Sequence, residues 1–226
     1  VDGHNNGTTF SLLSFSTVTL TNLTVQHGSS ANGGGIFVYG ELTISNSTIR
    51  NNNAQTGGAI FNNGTLRILN STFSENKATG QGGAIHNQSS LAIMNSTFSA
   101  NTSNNTAGAI FNSRELNIIN STVNGNSASN VGGGIHNLGT LTVSNSTING
   151  NRASLMGGGV LNAGSLTLKN TILSNAQAGG DCVDVTGQPI SNQNNLISDA
   201  ANACGLANGV NGNIVGQDPK LGPLQN

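Results

Sequence analysis

The aliphatic residues of the chain return on a fixed clock. Leu42, Leu66, Leu91, Leu116, Leu141 and Leu166 are 24 or 25 residues apart, and Ile44, Ile68, Ile93, Ile118, Val143 and Leu168 follow each of them two residues later. Ile36, Ile60, Ile85, Ile110, Ile135 and Val160 form another column, and Val25, Ile49, Phe73, Phe98, Val123, Ile148 and Leu173 a further one. Polar residues keep the same time. An N-S-T tripeptide begins at Asn46, Asn70, Asn95, Asn120 and Asn145, and Asn22, Asn170 and Asn195 extend the series. The repeat covers roughly residues 20–198.

Within each unit the L-x-I pair alternates with period two, which is the signal of a strand. Gly pairs, Asn clusters and β-branched residues in every unit are poor helix formers. A unit of this length, made of two or three short strands with turns between them, suits one coil of a parallel β-helix, where each strand pairs with its counterpart ~4.8 Å along the axis. A lone coil buries too little to fold, so coils must stack on one another. The predicted fold is all-β, a single-stranded parallel β-helix (β-solenoid) of about eight coils of 24–25 residues. Residues 1–178 form the repeat domain in this reading. Residues 179–226 form a degenerate last coil with a C-terminal cap or extension.

The columns can be assigned to faces. Slots that are always aliphatic point inward. Asn62, Asn87, Asn112, Asn137 and Asn162 lie two residues after the Ile column, so they face inward or form a turn. Asn52, Asn76, Asn101, Asn126 and Asn151 make a second asparagine column, and stacked amides can hydrogen-bond from coil to coil. Ala54, Ala78, Ser103, Ala128 and Ala153 mark a tight corner. The slot holding Phe37, Phe61, His86, Phe111, His136 and Leu161 alternates with the inward Ile column, so it is predicted to face out. An exposed apolar stripe of that length is a candidate contact surface.

Two signals in these units carry a family resemblance. G-G-A-I at Gly57–Ile60 is paired with F-x-x-N at Phe73–Asn76, and the pair returns at Gly82–Ile85 and Phe98–Asn101. The chain resembles the repeats of polymorphic outer-membrane protein passenger domains and, more broadly, the right-handed parallel β-helix repeat proteins that many bacteria secrete or display. The resemblance implies a right-handed coil and a secreted or cell-surface location. Val123–Asn126 and Ile148–Asn151 replace the Phe with β-branched residues, which is conservative for packing. The ending, with Cys204-Gly205 and the final D-P-K-L-G-P-L-Q-N, resembles the close of such a helical region, after which a sorting or anchoring segment usually follows.

Composition narrows the chemistry. Only 7% of residues are charged, against roughly 25% typically. The net charge of −1 gives no electrostatic case for nucleic acid or an anionic membrane. No apolar run approaches the ~20 residues of a membrane span. The start at Val-Asp-Gly, without a signal peptide, fits a processed or excised piece. Cys182 and Cys204 could be a disulfide or two free thiols. The lack of other cysteines and of nearby histidines favours a disulfide over a metal site, and a disulfide implies an oxidising compartment.

Polysaccharide lyases and glycoside hydrolases also use parallel β-helices, and their chemistry requires paired or clustered carboxylates. The eight acids here are Asp2, Glu41, Glu75, Glu115, Asp181, Asp184, Asp199 and Asp218. Glu41 and Glu115 share a slot three coils apart, ~14 Å by stacking. Glu75 and Lys77 are expected to form a surface ion pair. Asp181 and Asp184 are expected to be solvated loop acids, with calcium binding as the alternative. His86 and His136, two coils apart, are too far separated for one metal ion. The Thr column at Thr48, Thr72, Thr97, Thr122 and Thr147 lacks the second matching column of an ice-binding array and is expected in a turn. The N-S-T tripeptides are also glycosylation sequons, relevant only in a eukaryotic secretory host, with the Asn expected to be structurally occupied.

These readings lead to one expectation: a non-catalytic extracellular or cell-surface structural and adhesive β-solenoid with no cofactor and no metal. Its partners would be copies of itself, end to end or side by side in a fibre, or surface glycans. The alternatives are a carbohydrate-active enzyme or polysaccharide-binding module, and an ice-binding solenoid.

Overall fold

The computed structural model describes residues 1–222; the last four residues of the D-P-K-L-G-P-L-Q-N ending lie outside the described residues. The chain winds as a right-handed β-solenoid of about eight turns. Its strands lie in four parallel sheets, of eight, eight, nine and six strands. Among the described residues there is no α-helix, and the one helical element is a 3₁₀ turn at Val210–Gly212.

A central coil shows how the sequence makes the structure. Its strands are Ile60–Asn62, Thr65–Leu69, Thr72–Ser74 and Lys77–Gln81. The fourth strand was not distinct in the sequence, where two or three per unit are expected. It shrinks to two residues in the later coils, as at Thr102–Ser103 and Ser127–Ala128, and its inward side chains are the small Ala54, Ala78, Ser103, Ala128 and Ala153, all buried. Between the second and third strands the Asn of each N-S-T adopts a left-handed backbone, with φ 47 at Asn70 and 49 at Asn95. Asn tolerates that conformation better than most residues, so it marks the corner.

The register follows the sequence columns. Ile36, Ile60, Ile85, Ile110, Ile135 and Val160 pair in succession, and Cys182 takes the next place. Leu66 pairs with Leu42 and Leu91, and Phe73 with Ile49 and Phe98. These columns form one continuous buried core, in which the rings of Phe73 and Phe98 stack 4.7 Å apart. The strands Cys182–Asp184, Ser191–Gln193 and Leu196–Ile197 carry three sheets into the eighth coil. Cys182 and Cys204 form a disulfide, with both cysteines buried in the core. At the opposite end the inward residues Phe10, Val18, Leu20 and Leu23 are partly buried.

Candidate functional site

Three polar columns run along the interior corners. In the first, Asn62 Nδ2 donates to Asn87 Oδ1, Asn87 to Asn112, Asn112 to Asn137 and Asn137 to Asn162, each at 2.7 Å. The second links Asn52, Asn76, Asn101, Asn126 and Asn151, each of the first four donating Nδ2 and its backbone N–H to the Oδ1 above. The third, hidden inside the N-S-T tripeptides, is a serine column. The backbone N–H of Ser47, Ser71, Ser96 and Ser121 donates to the hydroxyl of the next serine, ending on Ser146. Both asparagine columns are therefore true ladders and lie buried. The serine column escaped the sequence reading because a small polar residue beside a corner Asn looks like ordinary turn chemistry.

All three columns donate in one direction, toward the C-terminal coils. At that end the first column closes on an acid, and a second acid lies beyond the second column. Asn162 Nδ2 donates to Asp184 Oδ1 at 2.6 Å. The second ladder ends at Asn151, whose Nδ2 donates to the Val123 carbonyl, and beyond it the Ala176 N–H donates to Asp181 Oδ1 at 2.9 Å. Asp181 also accepts from Ser198 Oγ and the Asp199 N–H, and is buried. The expectation of two solvated loop acids is thus corrected: Asp184 closes the first ladder, and Asp181 is a buried acceptor for turn groups beyond the second. Their identity as acids was visible in the sequence, but their position above the ladders depended on the path of residues 176–184.

The other acids are dispersed. Asp2 accepts from the His4 N–H, His27 Nδ1 and Gln26 Nε2, which hold its carboxyl well below the usual carboxylate range. Glu75 sits at a left-handed turn position, φ 56, and among the described residues it forms no ion pair with Lys77. Asp218 pairs with Lys220. Among the described residues no three His, Cys, Asp or Glu side chains gather as a metal site. No helix among them is long and apolar enough to cross a membrane.

The stripe of Phe37, Phe61, His86, Phe111, His136 and Leu161 stacks as its register requires, but it is not an open surface. Phe37 and Phe61 stack with centroids 5.2 Å apart, Phe61 and His86 at 5.0 Å, and His86 and Phe111 at 4.9 Å; His136 meets Phe111 edge-on. His86, Phe111 and Leu161 retain only 4–5% exposure, and Phe37, Phe61 and His136 are half-buried. The turn leading into each strand folds back over these outward side chains. A Cβ placed on Gly132 would stand 2.7 Å from the His136 Cβ, and one on Gly157 2.6 Å from that of Leu161. The alternation of faces was correct; in place of an open apolar stripe the slot forms an aromatic ladder, covered at His86, Phe111 and Leu161 and half-buried at Phe37, Phe61 and His136. Burial lowers the pKa of His86 to about 4 and that of His136 in the same direction. Neither Nδ1 has a hydrogen-bond partner, while His86 Nε2 lies 3.1 Å from Gln88 Nε2.

Two further columns differ from expectation. Thr48, Thr72, Thr97, Thr122 and Thr147 open strands rather than turns. The sequon asparagines Asn46, Asn70, Asn95, Asn120 and Asn145 are exposed, and Asn95 Nδ2 donates to Asn70 Oδ1 at 3.1 Å.

An open trough follows the corner between the first and second sheets. Its central hollow, about 670 Å³, is lined by Gln88, Ser90, Arg114, Glu115 and Thr140 among others. A second hollow, about 500 Å³, holds Phe15, Tyr39 and Glu41 and shares Ser89 with the centre. A third, about 580 Å³, holds Leu138, Ser165 and Ile190 and shares Gly139. The periodicity of the aliphatic and Asn columns does not single out this corner. A signal was present: Gly40, Gly64, Ser89, Arg114, Gly139 and Gly164 keep the repeat spacing, and only the middle two are not Gly.

Parallel sheets stacked around one core, with polar ladders at the corners, define a β-solenoid repeat protein. The chain belongs to the family described as right handed beta helix region, whose family model matches residues 2–151. No curated protein and no solved structure matches the chain.

Proposed function

We propose that the chain is a non-catalytic extracellular rod with a structural and adhesive role, of the kind found in the bacterial surface repeats it resembles. The observation that carries this reading is the use of its buried polar groups. Asparagine amides and serine hydroxyls are spent on coil-to-coil bonding, Asp184 closes one ladder, and Asp181 holds turn groups at the same end. Such a molecule is built for stiffness along its axis. The disulfide supports an oxidising, extracellular setting.

The test is incubation of the purified chain with a panel of polysaccharides, following both reducing ends and unsaturated products. No turnover above that of a heat-unfolded control is expected. Turnover abolished by Glu115→Gln would overturn the non-catalytic reading. Electron microscopy of the same sample checks the rod: stiff particles or end-joined fibres fit it, and shapeless aggregates do not.

A further inference from the structure

The geometry points to the corner trough as a binding site for a neutral, hydroxyl-rich chain, an oligosaccharide lying along the solenoid axis. This inference rests on the adhesive reading above and names its ligand class.

The first ground is an interruption in the repeat. At the corner between the first two sheets the second turn residue is Gly40, Gly64, Gly139 or Gly164. Those coils approach so closely there that a Cβ has no room: on Gly64 it would stand 2.1 Å from the Gly40 carbonyl oxygen, and on Gly139 2.0 Å from that of Arg114. Among the six central coils only the fourth and fifth place side chains in this slot, Ser89 and Arg114, and the 670 Å³ hollow lies on them; in the two end coils Ser16 and Gln188 hold the aligned places. Folding the solenoid does not require these two substitutions, because Gly serves the same slot in neighbouring coils.

The second ground is the chemistry of the lining. Gln88, Ser90, Arg114, Glu115 and Thr140 offer amide, hydroxyl, guanidinium and carboxylate groups on exposed or half-buried side chains. Sugar hydroxyls both donate and accept, so they suit such a mixed set. Glu115 stands beside Arg114 and accepts from Ser90 Oγ at 3.5 Å, so the centre is not a purely cationic site for an anionic polymer.

The third ground is shape. The shared Ser89 and Gly139 join the three hollows into one trough crossing successive coils. Toward the N-terminal end it reaches Tyr39, 47% exposed, and Phe15, fully exposed on a left-handed backbone of φ 65. Exposed rings next to a polar hollow offer apolar faces for the C–H sides of sugar rings. Bulky residues at positive φ are costly, and such outliers concentrate at functional sites.

Tyr39 is the one tyrosine, and the chain has no tryptophan, so intrinsic fluorescence reports on this trough. The experiment titrates the full chain with hexasaccharides of cellulose, laminarin, chitin and mannan, with hexagalacturonate as the acidic probe. Calorimetry runs in parallel. Binding of at least one neutral hexasaccharide with a change in Tyr39 emission is the expected result. Arg114→Ala and Gln88→Ala should each weaken it tenfold or more, and unchanged melting curves would show that both variants fold. Three results would overturn the proposal: no neutral binding at millimolar concentration, binding of hexagalacturonate alone, or binding indifferent to both substitutions. None of these concerns turnover or the rod itself, so failure here leaves the reading above standing.

Discussion

The imidazole of His86 lies flat on the ring of Phe61, with centroids 5.0 Å apart and planes within 7°. Phe111 covers its other face at 4.9 Å. The histidine thus occupies a place in an aromatic ladder, buried and with Nδ1 unpartnered, and the surroundings favour its neutral form.

This placement predicts acid sensitivity. Burial depresses the folded-state pKa of His86 to about 4, whereas an unfolded chain titrates near ~6.5. The unfolded state therefore binds more protons in that window, and the stability contributed by neutral His86 is complete above the unfolded value and lost as pH falls toward the folded one. His136 adds to the loss in the same direction. His86→Phe should complete the run of stacked phenyl rings and remove its share of the loss, about 2 kcal/mol between pH 7 and pH 4.5. Urea unfolding of both proteins at the two pH values checks this. An equal pH dependence in the variant would contradict it.

The interior ladder should be far more sensitive than the exposed one. Asn101 donates Nδ2 to the Phe73 carbonyl and to Asn126 Oδ1, both at 2.9 Å, and accepts from Asn76. Asn101→Ala leaves several buried groups without partners and should cost about 3–5 kcal/mol. Asn95→Gly, at an exposed left-handed corner, should stay within about 0.5 kcal/mol. Thermal unfolding of the pair shows whether burial separates them.

Ala107 stands where neighbouring coils have Gly57, Gly82, Gly132 and Gly157, and it is buried at φ 61. An L-residue with a Cβ is strained there, so Ala107→Gly should stabilise the protein by about 1 kcal/mol after the greater freedom of the unfolded chain is counted. The reverse change, Gly82→Ala, should destabilise by about 2 kcal/mol or more, since its Cβ would stand 2.2 Å from the Ile85 oxygen. Denaturant midpoints for both variants read out the sign.

Asp181 receives hydrogen bonds from the Ala176 N–H, Ser198 Oγ and the Asp199 N–H, at 2.9, 2.6 and 2.8 Å. An ionised carboxylate is acceptor-only and suits this demand. Asp181→Asn turns an amide donor toward one of these groups and should cost about 2–3 kcal/mol. Calcium should leave the melting temperature of the native protein unchanged, because both oxygens are already engaged. A calcium-dependent rise would restore the metal alternative.

The repeat period alone dictates a solenoid, and it does so through translation. Because each coil repeats the last, a slot that is Leu in Leu42, Leu66 and Leu91 must be inward in all of them, and amides such as Asn76 and Asn101 must meet in register. Side-chain identity and period suffice for that. The cover over His86 and Phe111, the seating of Asp181 and Asp184 above the columns, and the trough around Arg114 were decided only in three dimensions. Each depends on where turn backbone passes relative to a neighbouring coil, a distance that periodicity does not encode. The corner glycines show the limit: the sequence marks Ser89 and Arg114 as exceptions, but only the backbone packing, in which a Cβ added to Gly64 would stand 2.1 Å from the Gly40 oxygen, shows what those exceptions must open.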